Sequence, residues 1–403
     1  MGKKYSLKLV ITLMLLASAF TWFVFSVAVG SPTRAYGNRA DAVRDYAALL
    51  AMIDELYIGE FEQADVANAA MRSAVYALDD EWSFYMTPEE YVHYLENSFN
   101  QYEGLGIFVE PDEGTEFLRI AGVYGGSAAE AAGIAEGDLI MAVDGVDATG
   151  FSSEDLRDAL VRPIGNIVEL TVLRDGSTVL ELLAIYSIVY IEPVEYEMLE
   201  GGIGYLMIMN FNERAAQSFI NAVEELAEMG AQAFIYDVRG NPGGWVKEVT
   251  GMLDYLLPEG EIFVAVDRSG HETITRSDPV YFDRPAVVLV DRFSYSAAEY
   301  FAAMLMEYGY AQTVGEQTTG KSRMQKTVEL PNGGALNISF SEYLTKNRVS
   351  LHDRGGMTPD HQIALTDDER ALLYSGNLGM EDDSQMQKAL EILWKYYGIF
   401  VDK

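Results

Sequence analysis

The chain is organised around residues 291–325, DRFSYSAAEYFAAMLMEYGYAQTVGEQTTGKSRMQ. A β-branched run at residues 287–290 indicates a buried strand just before it, and helix-favouring residues begin at Ala297. Ser296 is therefore predicted in the first turn of a helix, beside backbone N–H groups that lack helical partners. Such groups and the positive end of the helix dipole can stabilise an oxyanion. The stretch thus offers a serine nucleophile at a helix start.

The candidate base in the same stretch is Lys321, in a Thr-Thr-Gly-Lys-Ser loop. Serine is a weak nucleophile, and lysine can take its proton only if burial makes the ammonium form costly. Gln325 could accept an N–H of that amine and hold it in line. Each residue also has a structural explanation, because Ser before Ala-Ala-Glu is a good helix N-cap and Lys in a glycine loop is usually solvated.

Several spaced motifs carry a resemblance that the residue types alone do not. They are Ser296-Ala-Ala-Glu299, Gly315-Glu316-x-Thr318-x-Gly320-Lys321, Gln325, Asp237-Val-Arg239-Gly-Asn241-Pro242-Gly243-Gly244 and Met357-Thr358-Pro359-Asp360. Together they resemble the carboxyl-terminal processing peptidases, also called tail-specific proteases. Members of that family are serine endopeptidases that use a Ser-Lys dyad.

The resemblance assigns a role to each matching position. It implies that Ser296 is the nucleophile, Lys321 the general base and Gln325 the residue that orients the lysine. It also implies an oxyanion hole formed by the amides of Ala297 and Gly244, with Gly243 as the weaker candidate for the second amide. Two positions depart from the family pattern: Ala298 replaces a usual second serine, and Thr319 replaces a usual phenylalanine.

Residues 102–186 change to short strand patterns with glycine turns and two short helices. The predicted strands are 105–110, 117–123, 138–143, 167–174 and 178–185. Gly104-Leu105-Gly106-Ile107, Ser127-Ala128-Ala129 and Gly137-Asp138 within this segment resemble a PDZ domain. The resemblance implies strand addition: an extended peptide pairs with the sheet edge while amides of residues 104–106 hold its terminal carboxylate. Leu105 and Ile107 would line the pocket for the last side chain.

The fold class predicted for the whole chain is a multi-domain α/β (α+β) protein. Its predicted parts are a signal or membrane anchor at 1–30, a linker at 31–40, an N-terminal helical region at 41–101, an inserted PDZ domain at 102–186, a βαβ-containing peptidase core at 187–375 and a C-terminal helix at 376–403. Thr87 and Pro88 predict a helix start. A mixed loop is expected between the turn at 358–360 and a final helix at 384–397.

The amino terminus predicts export. Residues 9–29 carry no charge and follow Lys3, Lys4 and Lys8, which is typical of a signal segment or a membrane anchor. The lysines predict a cytoplasmic amino terminus with the rest of the chain outside, in the cell envelope. The small residues at 28–30 leave cleavage open, so the protein is expected to be single-pass anchored or secreted.

Composition excludes several classes of function. The formal net charge of −34 argues against nucleic-acid binding. The chain has four histidines in no metal-ligand spacing and no cysteine, so no metal or other cofactor is predicted. The expected partners are protein or peptide substrates with apolar C-termini, the membrane through the N-terminal segment, and a second copy in a homodimer.

The prediction is a cell-envelope serine endopeptidase whose PDZ domain captures C-terminal tails. One alternative is a catalytically silent PDZ-containing tail-binding protein or scaffold, which Ala298 and Thr319 leave open. The other is a Ser-His-Asp hydrolase. It would need His271, His352 or His361 near Ser296, and no G-x-S-x-G motif surrounds that serine.

Overall fold

The structure, a computed structural model, describes residues 39–398. The predicted anchor at 1–30 and nearly all of the predicted linker at 31–40 lie outside the described residues. So do residues 399–403, at the end of the predicted C-terminal segment. None of the helices between residues 39 and 398 combines the length and the apolar character needed to cross a bilayer.

The described residues fall into two compact units, 39–70 and 71–398. The described part of the first unit contains helix α1 (Arg39–Leu56), and helix α2 (Gln63–Tyr76) begins there and ends in the second unit. The second unit continues with β1 (Phe84–Met86), α3 (Pro88–Ser98) and β2 (Gln101–Gly104). These three helices occupy the region where apolar periodicity predicts helices.

Helix α3 begins as its sequence predicts. Thr87 is the N-cap, Pro88 occupies the first turn, and the side chains of Thr87 and Glu90 each bond to the other residue's backbone N–H. This capping box satisfies two N–H groups that the helix start would otherwise leave unpaired.

The β-rich module is an antiparallel sheet of six strands, of which five follow the order β3-β4-β5-β7-β8 and the sixth, β6, pairs with β5. Its elements are β3 (Ile107–Pro111), β4 (Leu118–Val123), α4 (Ala128–Ala131), β5 (Leu139–Val143), β6 (Val146–Asp147), α5 (Ser153–Leu160), β7 (Ile167–Arg174) and β8 (Thr178–Ile185). Strand β9 (Ser187–Tyr190) pairs with β2, so the entry and exit of the module form one ribbon. The module has its own buried core.

The peptidase core is built on a six-stranded sheet in the order β10-β11-β12-β15-β16-β19, in which β10 is antiparallel and the rest are parallel. Its elements are β10 (Val194–Leu199), β11 (Ile203–Ile208), α6 (Ala215–Glu228), β12 (Ala233–Asp237), α7 (Val246–Leu256), β15 (Ala286–Val290), α8 (Ala297–Tyr308), β16 (Ala311–Gly315), β19 (His361–Gln362) and α10 (Ser384–Tyr397). Helices α6, α7 and α8 pack on one face, and α10 packs on the other. Both faces of β15 are therefore buried, which explains its unbroken apolar sequence.

A second sheet stands beside this core. It has the order β1-β18-β13-β14, with β17 paired along β18. Its remaining strands are β13 (Gly260–Val266), β14 (Glu272–Ser277), β17 (Arg323–Glu329) and β18 (Ala335–Leu344). Because β1 joins this sheet, residues before the β-rich module become part of the core structure.

Three features differ from the sequence predictions. Helix α9 (Asp367–Tyr374) occupies part of the predicted mixed loop, and the signal was a capping box between Thr366 and Glu369. Strand β17 begins at Arg323, so Gln325 lies on a strand near the lysine loop. Strand β3 begins at Ile107, two residues later than predicted, because Leu105 turns into the module core.

Candidate active site

Ser296 lies between the end of β15 and the first turn of α8, in an unusual backbone conformation. Its φ is 58° and its ψ is −121°, a region that costs a residue with a side chain on the order of 1–3 kcal/mol. Gly243 packs against it: a Cβ on Gly243 would lie 2.7 Å from the Cβ of Ser296. The fold thus holds the serine in a strained position at a helix N-terminus.

Glu299 connects the serine to the lysine loop. Its side chain is fully buried, and one oxygen accepts from the Thr318 hydroxyl (2.7 Å) and the Gly320 N–H (3.0 Å). The other oxygen accepts from the N–H groups of Lys321 (2.7 Å) and Ser296 (3.0 Å). Burial raises the pKa of Glu299, and these donors oppose that shift. One carboxyl group therefore fixes the backbone at both sequence-predicted catalytic residues.

The Lys321 amine lies against aromatic rings. Its Nζ is 4.6 Å from the centroid of the Trp82 ring and 5.7 Å from that of Tyr295. Burial lowers the pKa of Lys321 to about 8, and nearby carboxylates, Asp80 first among them, oppose the shift. A substantial fraction of this amine is therefore neutral near pH 8, as a general base requires.

Ser296, Lys321, Gln325 and Gly244 all line one cavity of about 630 Å³. Aromatic side chains form much of its wall: Trp82, Phe84, Tyr94, Trp245, Tyr295 and Tyr343. The Tyr343 hydroxyl donates to the Lys321 carbonyl. The sequence-predicted nucleophile, base and orienting amide thus line the same cavity.

Gln325 is held by its own amide group. Its Nε2 donates to the Arg323 carbonyl at 2.8 Å and to the Ser339 hydroxyl at 3.1 Å. Both amide hydrogens are used in these bonds. The carbonyl oxygen of Gln325 is consequently the atom with which this residue can accept an N–H from Lys321.

The glycines before α7 differ in what their amides do. The Gly243 N–H donates to Asn241 Oδ1 at 2.8 Å. A bridge to Phe211 uses the Gly243 carbonyl and the Trp245 N–H, but not the Gly244 amide. A Cβ on Gly244 would lie 2.3 Å from the Phe211 carbonyl, so only glycine fits there. Among the described residues the Gly244 N–H, unlike that of Gly243, has no acceptor, so Gly244 is the stronger candidate of the two for an oxyanion hole shared with the Ala297 amide.

The two departures from the family pattern lie outside the cavity wall. Ala298 lies in the first turn of α8 and is buried in the apolar core. Thr319 donates its hydroxyl hydrogen to the Arg292 carbonyl at 2.8 Å and helps to tie the lysine loop to the serine loop. Neither position removes a group that would react with substrate.

The histidines do not reach the serine. None of the chain's four histidines, all within the described residues, lines the Ser296 cavity. His352 bonds through Nδ1 to the Gly320 carbonyl (3.3 Å), and His361 bonds through Nε2 to Gln312 (2.9 Å). His271 lies in the exposed turn between β13 and β14. The geometry gives a Ser-His-Asp arrangement no support.

The four sequence-predicted peptide-binding residues lie where β2 passes into β3. Gly104 pairs with Ser187, and Gly106 has a φ of 89°. Leu105 is buried in the module core, and Ile107 is partly exposed at the start of β3. Strand β3 is the end strand of its sheet, and α5 contacts it. An edge strand beside a helix is the geometry that strand addition needs.

Sequence reasoning quoted Glu299 only as part of a motif and gave Trp82 and Tyr343 no role at the site. The Ser-x-x-Glu spacing was a signal for Glu299, because it is the spacing of a capping box. Trp82 belongs to a Trp82-Ser83-x-Tyr85 turn that resembles the N-terminal region of the carboxyl-terminal processing peptidases, but no local signal places it at Lys321, which it reaches only through the tertiary fold.

Comparison with known proteins identifies two domains in the chain and several similar proteases. Residues 202–363 match peptidase family S41, and residues 96–173 match the PDZ domain. The chain is 29% identical to a carboxyl-terminal-processing protease of Synechocystis sp., over 80% of this chain and 76% of that protein. It is also 29% identical to the carboxy-terminal processing protease CtpA of Bacillus subtilis, over 77% of this chain and 66% of that protein.

Among solved structures, a crystal structure described as an S41 protease from Bacteroides fragilis has the same fold. It superimposes with a TM-score of 0.51 and 19% identity, and covers 85% of this chain and 92% of that chain. Together, the two matched domains and the relatives identify the chain as a serine-type peptidase. It contains a peptidase family S41 domain and a PDZ domain, and it is similar to carboxyl-terminal processing proteases.

Proposed function

We propose that the protein is an endopeptidase that cleaves peptide bonds by a Ser-Lys mechanism. The observation that carries the proposal is the Lys321 amine, which is buried against aromatic rings on the same cavity as Ser296. Burial lowers the pKa of this amine to about 8. A neutral amine beside a serine at a helix start is the arrangement that base-assisted acyl transfer needs.

In the proposed steps, one proton passes from Ser296 to Lys321 and then to the leaving amine. Neutral Lys321 takes the proton of Ser296 as the serine oxygen attacks a substrate carbonyl, and Gln325 holds the amine in line. The amides of Ala297 and Gly244 donate to the oxyanion. The tetrahedral adduct then collapses, the C–N bond breaks, and the lysine returns its proton to the leaving amine. Water, activated by the same amine, hydrolyses the acyl-enzyme and frees the serine.

The primary test compares Ser296→Ala and Lys321→Ala with wild type, using an unstructured protein with an apolar tail as substrate. Both variants are expected to lose cleavage, and a fluorophosphonate probe is expected to label wild type but not Ser296→Ala. Retained turnover in either purified, folded variant would remove the dyad. A wild-type chain that neither cleaves nor is labelled would favour the binding-only alternative.

We also propose that the PDZ domain captures the carboxyl end of the substrate. Support comes from the edge position of β3, from α5 beside it and from the positive φ of Gly106 next to the loop amides. Free peptides with apolar C-termini are expected to bind the full chain more tightly than the same peptides with amidated ends. Equal affinity of the two forms would contradict carboxylate capture.

The location in the cell envelope rests on the sequence of residues 9–29 and stays a prediction, as does a homodimer. Fractionation of cells followed by sequencing of the mature amino terminus tests the first. Export with residues 1–30 retained would indicate an anchor, and a new amino terminus near residue 31 would indicate a cleaved signal.

A further inference from the structure

The turn before β1 reaches the catalytic cavity although it lies outside both matched domains, residues 96–173 and 202–363. Trp82 in this turn places its ring 4.6 Å from the Lys321 Nζ. The same ring stacks on Tyr295, with centroids 5.7 Å apart and an interplanar angle of 29°. The amine of the proposed base is therefore covered by residues that are far apart in the sequence.

The turn is fastened to the second sheet on both sides of Trp82. Before it, Asp80 forms an ion pair of 2.9 Å with Arg323. After it, the Ser83 hydroxyl accepts from the Ser339 N–H at 3.0 Å, and β1 pairs with β18. The position of the ring is thus set by its backbone and by stacking.

The indole N–H does not help to hold the ring in place. The Trp82 Nε1 is buried and finds no hydrogen-bond partner among the residues that the structure describes. What the ring brings to the site is consequently its apolar bulk and its π face.

These two properties act on Lys321 in opposite directions. The π face attracts an ammonium ion and so favours the charged form. The bulk of the ring excludes water and so favours the neutral amine. The pKa of Lys321 is lowered to about 8, with burial as the main cause. Burial, to which the ring contributes, thus outweighs the three carboxylates that face the amine, Asp80, Glu299 and Glu81.

We propose that Trp82 is a positioning residue of the catalytic centre: the turn holds its indole over Lys321, which keeps water from the amine and sets the lowest pH at which the peptidase works. The inference rests on the proposed Ser-Lys mechanism. It also makes the segment before the PDZ domain part of the active site.

The test follows the rate at which a fluorophosphonate labels Ser296 in the full chain, between about pH 6 and pH 10, since serine activation by the amine needs its neutral form. This readout needs neither a protein substrate nor tail capture. The variants are Trp82→Ala, Trp82→Gln and Trp82→Phe. The matched control is Trp394→Ala, which removes a partly exposed indole from α10.

Wild type is expected to reach half of its maximal rate near pH 8, where Lys321 loses its proton. Trp82→Ala and Trp82→Gln admit water. The acid limb of the profile, where the labelling rate rises with pH, is therefore expected to move up by about one pH unit. The labelling rate at pH 7 then falls about tenfold, while the plateau at high pH stays within about threefold of wild type. Trp82→Phe keeps a ring and is expected to move the limb up by only about 0.3 unit. Trp394→Ala keeps the wild-type profile.

Three outcomes in folded variants would overturn the role of Trp82: an acid limb that does not move, a limb that moves down, or a rate lost at every pH. Thermal unfolding checks the fold of each variant, and Trp82→Phe carries the test if the other two unfold. Failure of the Ser-Lys proposal is distinguishable, because Ser296→Ala would then be labelled as fast as wild type.

Discussion

Arg239 is a buried cation and Lys321 a partly buried one, and the fold treats them in opposite ways. Arg239 bonds to Asp237 at 2.6–3.0 Å and to Asp383 at 2.8 Å. Burial alone would lower the pKa of Arg239, but the two carboxylates raise it. Lys321 instead has aromatic rings against its amine, and burial lowers its pKa to about 8.

Burial disfavours the charged form of both cations, and the carboxylates bonded to Arg239 offset that penalty, whereas those near Lys321 do not. A guanidinium between two carboxylates stays charged and joins the end of β12 to the start of α10. An amine that lies against two rings, with its pKa lowered to about 8, is partly neutral near that pH, as a general base must be. Four substitutions test this contrast.

Lys321→Arg is expected to have the largest effect. A guanidinium stays protonated at every working pH, so it cannot take the serine proton. Labelling of Ser296 at pH 8.5 is expected to fall about 10³-fold or more, which corresponds to about 4 kcal/mol. Arg239→Lys, which keeps a cation at the structural position, serves as the control and is expected to label within about tenfold of wild type. A Lys321→Arg rate within tenfold of wild type would contradict the assignment of Lys321 as the base.

Arg239→Met is expected to destabilise the fold by about 3–5 kcal/mol, because it leaves two buried carboxylates without their cation. Urea unfolding at pH 7 measures the change. The control is the triple variant Arg239→Met, Asp237→Asn, Asp383→Asn, which removes the charges together and is expected to cost less than the single change. A single variant within about 1 kcal/mol of wild type would contradict a structural role of Arg239.

Lys321→Met is expected to have the opposite sign and to stabilise the fold by about 1–3 kcal/mol at pH 7. The pKa of Lys321 is about 8 in the folded chain and 10.5 in its ordinary state. The unfolded chain therefore binds the proton more tightly between these values, and wild-type stability rises with pH through that window. The advantage of methionine should be full below pH 8 and should vanish above about pH 10.5. Urea unfolding at pH 7 and pH 10.5 measures it, and a variant less stable than wild type at pH 7 would refute the expectation.

Glu81→Gln is expected to have the smallest effect. Burial lowers the pKa of Lys321, and Glu81 is the weakest of the three carboxylates that oppose this. Removing its charge should move the acid limb of the labelling profile down by about 0.3 pH unit or less, and about 1 M salt should erase the difference. A limb that moves up, or a shift that persists in salt, would show that Glu81 acts by some means other than its charge.

Much of the secondary structure was predictable from local pattern. Strands β7 and β8 and helix α10 have the predicted bounds, because their periodicity runs unbroken between turn residues. Helix α9 was missed because its eight residues are too few to show a clear period. Strand β14 was missed because it is a mostly exposed end strand, whose polar residues carry no burial pattern.

The residues of the candidate site were predictable from the sequence, but their surroundings were not. The motifs named Ser296, Lys321, Gln325 and Gly244, and the structure brings all four to one cavity. Local reasoning required the Lys321 amine to be buried, but it could not predict which residues would bury it. The ring of Trp82 that covers it belongs to a turn more than two hundred residues earlier in the chain.

The sequence by itself determined most of the elements, the resemblance to a peptidase with a PDZ domain and the candidate reacting groups, because helix and strand periods, turn residues and motifs are local properties of the chain. Only the tertiary structure decided the state of those groups. The pKa of an amine depends on the water and charge around it, and that environment comes from segments that meet only after the chain has folded.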